Sequence, residues 1–209
     1  MHEEKKIIIV QYNWPLQSFT LFLLLSFAKT HKVHLFIDKY SLENSKINYS
    51  KLNENGVRIH LFPTFGLSCS NEKICNLLKK IIFILKQNII TLKKIETFFA
   101  YKFIKNNYPE NSITIAVEKE ALIICDRLKI SENLYYYSLE LYQDAYRSSR
   151  INNHIAGREF NAVRDINGLI IQDEVRKNEF CKYFNLKNKD LLYLYLPVSV
   201  FKKNTKIKN

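Results

Sequence analysis

Residues 7–28, IIIVQYNWPLQSFTLFLLLSFA, run for 22 residues without a charge directly after the start MHEEKK. Such a run is a membrane span, a signal peptide, or the first strand and helix of an α/β domain. A span needs about 20 mostly apolar residues. Here Gln11, Tyr12, Asn13 and Pro15 would leave polar groups unpaired in lipid and break the helix in its first half. A signal peptide wants a basic start and one unbroken apolar run of about 7–15 residues. This chain has Glu3 and Glu4 at its start, an interrupted run, and Lys29 just after it. The third reading fits: 6–10 is a short β-branched strand, 11–15 has turn chemistry, and 16–28 is long enough for a buried helix. A second strand follows at 31–38, HKVHLFID. A β–loop–α–β unit of this kind needs a parallel pair and a sheet covered on both faces.

The alternation continues. Residues 41–55 read as a polar loop, and GVRIHLFP at 56–63 as a third strand. A helical stripe of Ile74, Leu78, Ile81, Leu85, Ile89, Leu92, Phe99 and Phe103 spans 72–107, as one helix or as two with a bend near Asn88. Strands at 111–117, 133–140, 167–173 and 190–197 are separated by helices at 119–129, 148–165 and 174–184. This pattern predicts a doubly wound α/β domain with a mostly parallel sheet of about seven strands and ligands beyond the strands' carboxyl ends. Four glycines and four prolines in 209 residues leave little room for linkers. One Rossmann-like domain over 1–200 is expected, with 201–209, FKKNTKIKN, as a basic tail or the start of a linker. Cys69, Cys75, Cys125 and Cys181 lack the short paired spacing of a zinc site and read as reduced thiols, which suits a cytoplasmic protein. Histidines at 2, 31, 34, 60 and 154 show no metal spacing, so no metal is expected.

The first strand-to-helix loop, QYNWPLQS, contains no glycine, which disfavours a dinucleotide site of the G-x-G-x-x-G type. Contact with a sugar or lipid head group remains for it. Tyr12 and Trp14 would supply flat apolar faces and Gln11 and Asn13 hydrogen bonds; alternatively Trp14 covers the end of the sheet. The formal charge of +12 asks for an anionic partner, although a lysine-rich solvated face accounts for part of it. Lys79, Lys86 and Lys93 are spaced seven apart on one helical face, with Phe98, Phe99, Tyr101 and Phe103 at the distal end. Such a helix either lies on an anionic membrane surface, each lysine contributing about 1 kcal/mol, or covers the sheet with its lysines in water. No helix-turn-helix, finger or RNA-binding signature accompanies the charge, and no nucleic-acid partner is expected.

HKVHLFID, VRIHLFP and above all FNAVRDINGLIIQDEVRKNEFCKYFNLKNKDLLYLYLPVSV resemble the N-terminal half of GT-B glycosyltransferases, of the retaining kind that build bacterial surface polysaccharides, lipopolysaccharide included, and glycolipids. The resemblance implies a two-domain transferase. Its N-terminal half holds a glycan or glycolipid acceptor. Its C-terminal half binds the nucleotide-sugar donor, which is therefore expected on a missing or partner domain, in cis or in trans, with no cofactor in this chain. The half alone would be inactive. It would work in the cytoplasm, peripheral at the inner face of the membrane. The alternative reading is a non-catalytic α/β module binding an anionic partner, either membrane lipid or a partner transferase.

Glu118 ends the predicted fourth strand and Glu140 the fifth, so both are candidates to orient an acceptor hydroxyl or take its proton. The family resemblance places a polar or acidic sugar-contacting residue where Glu118 stands. The competing role for each is capping the next helix. Tyr142, Asp144 and Arg147 follow on the same rim. Asp173 and Glu174 read as helix caps. Glu159 matches a family glutamate and has Arg150, Arg158 and Arg164 as candidate ion-pair partners.

Overall fold

The computed structural model describes residues 6–12, 16–45, 49–62, 89–109, 111–128, 133–139, 157–186 and 191–196, with the backbone alone for 40 and 89–96. Strand β1 (Lys6–Gln11) is apolar at four consecutive positions, and Ile7, Ile8, Ile9 and Val10 are all buried. A strand with two apolar faces has no side to offer to water, so it belongs inside a parallel sheet covered above and below. It is the third strand, an interior one, of a seven-stranded sheet of order β3-β2-β1-β4-β5-β6-β7. Its neighbours are β2 (Lys32–Asp38) and β4 (Ser112–Val117), paired so that Ile8 stands opposite both His34 and Thr114. Strands β3 (Val57–Phe62), β5 (Leu134–Tyr137), β6 (Gly168–Ile171) and β7 (Leu192–Tyr195) complete it, and every pairing is parallel.

One face carries Ile8, Val10, Phe36, Ala116, Tyr136 and Leu169. It packs under α4 (Ile89–Asn107), α5 (Glu118–Arg127), a short helix α6 at 157–162 and α7 (Glu174–Tyr183), through Ala100, Ile104, Leu122, Ile124, Ala162 and Phe180. The other face, with Ile9, Leu35, Ile37, Val57 and Val117, packs under α1 (Ser18–Ala28) and α3 (Tyr49–Glu54) through Leu23, Leu24 and Leu52. Each Val, Leu, Ile or Phe side chain among them removed from water contributes about 1.5–3 kcal/mol. The expected doubly wound α/β sheet is therefore what forms, with the chain crossing to both faces. Among the described residues no helix is long and apolar enough to cross a membrane.

Several expectations shift. The predicted polar loop at 41–55 contains two short helices, α2 (Lys39–Glu43) and α3. The first is started by Asp38, whose carboxylate accepts from the Ser41 amide at 2.9 Å and from the Ser41 hydroxyl. The predicted helix over 72–107 is described from Ile89 onward, and its earlier part lies outside the described residues. In α4 the buried face is Thr97, Ala100 and Ile104, with Phe103 packed beside them, whereas Phe99, assigned to the apolar stripe, is 42% exposed. The small Ala100 lets the helix approach the sheet, and that sets the phase. Lys102 and Lys105 of α4 lie over the rings of Phe98 and Tyr101. Cys125 is a fully buried thiol, pushed up by burial, and Cys181 is also free; Cys69 and Cys75 lie outside the described residues.

Gly168 opens β6 where a side chain has no room. A Cβ there would come within 2.6 Å of Tyr135 Cδ1 and 2.8 Å of the Leu192 carbonyl oxygen. Gly168→Ala is expected to cost about 1–3 kcal/mol in urea unfolding through overpacking. A variant as stable as the parent would show that β5 and β7 do not grip this position.

Candidate functional site

In a doubly wound sheet the ligand crevice opens where the strand order reverses. Here that point lies between β1, which leads away through α1 to β2, and β4, which leads the other way through α5 to β5. Gln11 ends β1 fully buried, opposite Val117 on one side and Ile37 on the other. Glu118 is the next residue after Val117 and begins α5.

Glu118 has φ +66°, a left-handed backbone that costs a non-glycine residue about 1–2 kcal/mol. The conformation turns its side chain along the carboxyl edge of the sheet. At 3% exposure the carboxylate is inside the protein, and Oε1 accepts from the Leu139 amide at 2.7 Å. The Leu139 carbonyl oxygen in turn accepts from Gln172 Nε2 at 2.6 Å and Arg176 Nη1 at 3.0 Å. One residue earlier, the Ser138 amide donates to the Ile170 carbonyl at 3.1 Å. The ends of β4, β5 and β6 are thus tied to a single residue, Leu139, both of whose backbone polar groups are engaged. Burial raises the pKa of Tyr137, and the negative charge of Glu118 raises it further. That phenol is a neutral donor over the accessible pH range.

The loop between β1 and α1 is anchored from the other side. Ser45 Oγ donates to the Ser41 carbonyl and accepts from the Leu16 amide at 2.6 Å, so the Asp38 cap at the end of β2 is linked to the chain entering α1. Tyr12 sits at that loop's start, and its ring meets Phe62 edge-on at 5.9 Å, against the core. Asn13 and Trp14 lie outside the described residues. So do Glu140, Tyr142, Asp144 and Arg147, which follow the anchored Leu139, and Lys79 and Lys86. Lys93 is in α4, but its side chain is not described.

Glu159 is buried, and its Oε1 accepts from the Tyr136 hydroxyl at 2.7 Å. Arg164 lies over Phe160, and Arg158 is near Asp126 and Arg127; burial lowers the Arg158 pKa first, and the Arg127 charge adds to it. Asp173 caps α7, its Oδ1 accepting from the Arg176 amide at 2.8 Å. Glu174 pairs with Lys177 at 2.6 Å and accepts from the Tyr195 hydroxyl. Gln172 and Arg176 are the residues the sequence reading passed over. The available signal was position alone: Gln172 directly follows β6 on the same edge as Glu118, and Arg176 lies in the first turn of the helix after it. No group of three or more His, Cys, Asp or Glu among the described residues is arranged to hold a metal ion.

No protein-family model and no curated protein sequence matches this chain. Solved structures do match in fold. UGT73P12 of Glycyrrhiza uralensis, solved with glycyrrhetinic acid 3-O-monoglucuronide, superposes with a TM-score of 0.50 at 9% identity, over 94% of this chain and 49% of that one. UGT89C1 of Arabidopsis thaliana, solved with UDP-L-rhamnose, gives 0.45 at 10% identity, over 95% and 51%. Both are plant UDP-glycosyltransferases of GT-B fold, and this chain spans about half their length. The first comparison establishes the Rossmann-like α/β architecture seen in GT-B enzymes. It does not extend to the retaining bacterial surface-polysaccharide type.

Glu118→Ala removes the partner of a buried amide and is expected to cost about 1–3 kcal/mol in urea unfolding. Glu118→Gly loses the same hydrogen bond but relieves the left-handed backbone, so it should recover about 1 kcal/mol relative to alanine. A glycine variant less stable than the alanine variant would show that backbone strain at this position does not contribute.

Proposed function

We propose that this chain is the acceptor-side half of a GT-B glycosyltransferase. It would present a glycan or glycolipid hydroxyl to a nucleotide-sugar held by a second α/β domain, in cis or in trans. The observation that supports this most is the reversal point between β1 and β4. Its edge carries Gln11, Glu118 and the Leu139 anchor, in a fold that matches about half of a GT-B enzyme.

In the transfer, the acceptor oxygen forms a bond to the anomeric carbon as the bond from that carbon to the nucleotide phosphate breaks. The acceptor proton must go to a base, and the departing diphosphate needs fixed positive charge or hydrogen-bond donors. Glu118 is buried and bonded to the Leu139 amide, so its role here is positioning: it sets where the chain leaves β5. Glu140, the next residue, is assigned to orient the acceptor hydroxyl or take its proton. Gln11, Tyr12, Asn13 and Trp14 are assigned to the acceptor sugar, Tyr142, Asp144 and Arg147 to the rim. The groups that stabilise the leaving diphosphate are assigned to the second domain. A glycolipid acceptor also gives a use to the lysines at 79, 86 and 93, as contacts to an anionic membrane face.

The test is calorimetric titration of the 209-residue chain with octyl glycosides of glucose, galactose and N-acetylglucosamine, and separately with UDP-glucose. At least one glycoside should bind. Trp14→Ala should weaken it tenfold or more with an unchanged urea midpoint, and UDP-glucose should bind at least tenfold more weakly. Tighter binding of UDP-glucose than of any glycoside, or sugar transfer by this chain alone, would overturn the assignment.

A further inference from the structure

His34 and His60 lie away from the reversal-point crevice, on neighbouring strands β2 and β3 and on the face covered by α4. Nδ1 of His34 is 2.9 Å from Nε2 of His60. The two rings stack at 5.2 Å and 12°, and His60 stacks on Phe36 at 4.4 Å and 9°. One nitrogen of the bridge donates and the other accepts. The other two ring nitrogens, Nε2 of His34 and Nδ1 of His60, engage no hydrogen-bond partner among the described residues.

The charges facing this pair are positive. Arg58, an exposed residue, stands opposite His34 in the parallel register, and Lys6 and Lys32 begin β1 and β2 on the same face. Burial chiefly, then His60, Arg58 and Lys6, lower the His34 pKa to about 4, and burial followed by Arg58 lowers that of His60. On α4 the described cations Lys102 and Lys105 lie over Phe98 and Tyr101. Among the described residues no carboxylate contributes to the titration of either imidazole. A metal cation would add charge of the same sign beside Arg58 and Lys6. An oxyanion would remove the repulsion, and a guanidinium fork with imidazole N–H donors matches its geometry.

We propose that Arg58, Lys6 and the His34–His60 pair form a binding site for a phosphate-type dianion on the flank of the sheet, and that binding is coupled to uptake of one proton. The neutral pair holds two ring protons, one in the bridge and one on an unbridged nitrogen. A third proton makes both unbridged nitrogens donors, and the dianion offsets the repulsion from Arg58 and Lys6 that opposes it. The sign follows. His34 titrates lower in the folded chain than in the unfolded one, so its neutral form contributes stability above about 6.5 that is lost as pH falls towards about 4. A bound dianion raises the pair's pKa and restores that stability. Affinity tightens as pH falls, by up to about tenfold per pH unit for one proton.

Sulfate is the first probe, because its own charge does not titrate in this range. Histidine ring resonances of the full chain are followed from pH 8 to 5 with and without sulfate, and sulfate affinity is measured at pH 7.5 and 5.5. Upward-shifted midpoints for both rings, affinity at least tenfold tighter at pH 5.5, and a loss of fivefold or more in Arg58→Gln at an unchanged urea midpoint are expected. Midpoints that sulfate does not move in the parent chain, or equal affinity at the two pH values, would overturn the proposal without reference to any variant. Inorganic phosphate and phosphatidylcholine vesicles carrying phosphatidic acid then compete with sulfate in separate arms. Displacement by the vesicles assigns a lipid headgroup, displacement by inorganic phosphate alone assigns a soluble phosphate, and displacement by neither overturns the phosphate assignment.

Discussion

The organisation of this molecule depends on β1 having no polar face. Ile7 and Ile9 need cover on one side, Ile8 and Val10 on the other, and the backbone needs hydrogen-bonded neighbours at both edges. Parallel neighbours satisfy the backbone, but they require long return connections, and these become the covering helices. Once α1 and α3 occupy one face and α4, α5 and α7 the other, the direction of chain winding must reverse at β1. The reversal between β1 and β4 is thus a consequence of the same burial that stabilises the core.

At the carboxyl edge the requirement changes from burying apolar surface to satisfying polar groups. Strands stop there, and their last amides and carbonyls have no ladder partner. Buried side chains of Asp38, Glu118 and Gln172 take that role, each bonding to a backbone group where a strand gives way to a loop. An unpaired buried amide costs about as much as the left-handed turn at Glu118, so the strained backbone persists because it delivers a carboxylate to Leu139. The three-sided hold on Leu139 gives the segment that follows a fixed origin, on a scaffold drawn from three strands.

The two proposed sites occupy separate places on this frame. The carboxyl edge offers shape, buried polar anchors and the beginnings of loops rich in Trp, Tyr, Asp and Glu. The flank of β2 and β3 offers cationic charge around paired imidazoles, on the side away from the crevice. A positive charge of +12 therefore need not serve a single surface. Some of it lies against aromatic rings, as Lys102 and Lys105 do, and some converges on His34.

Seven strands, their order of appearance and their parallel sense were readable along the chain, because consecutive apolar β-branched runs such as IIIV and ITIAV fit only strands buried on both sides. The cap at Asp173 was equally local. The helical phase of α4 was not, since choosing Ala100 over Phe99 as the inward position depends on how close the helix comes to the sheet. Glu118 was singled out in the sequence as a strand-end carboxylate, but its partner lies 21 residues away, and only the adjacency of β4 and β5 brings the Leu139 amide to it. The partners of Gln172, Arg176 and His34 were not readable for the same reason: contacts between elements distant in sequence depend on register, and register is set when the whole sheet closes around its core.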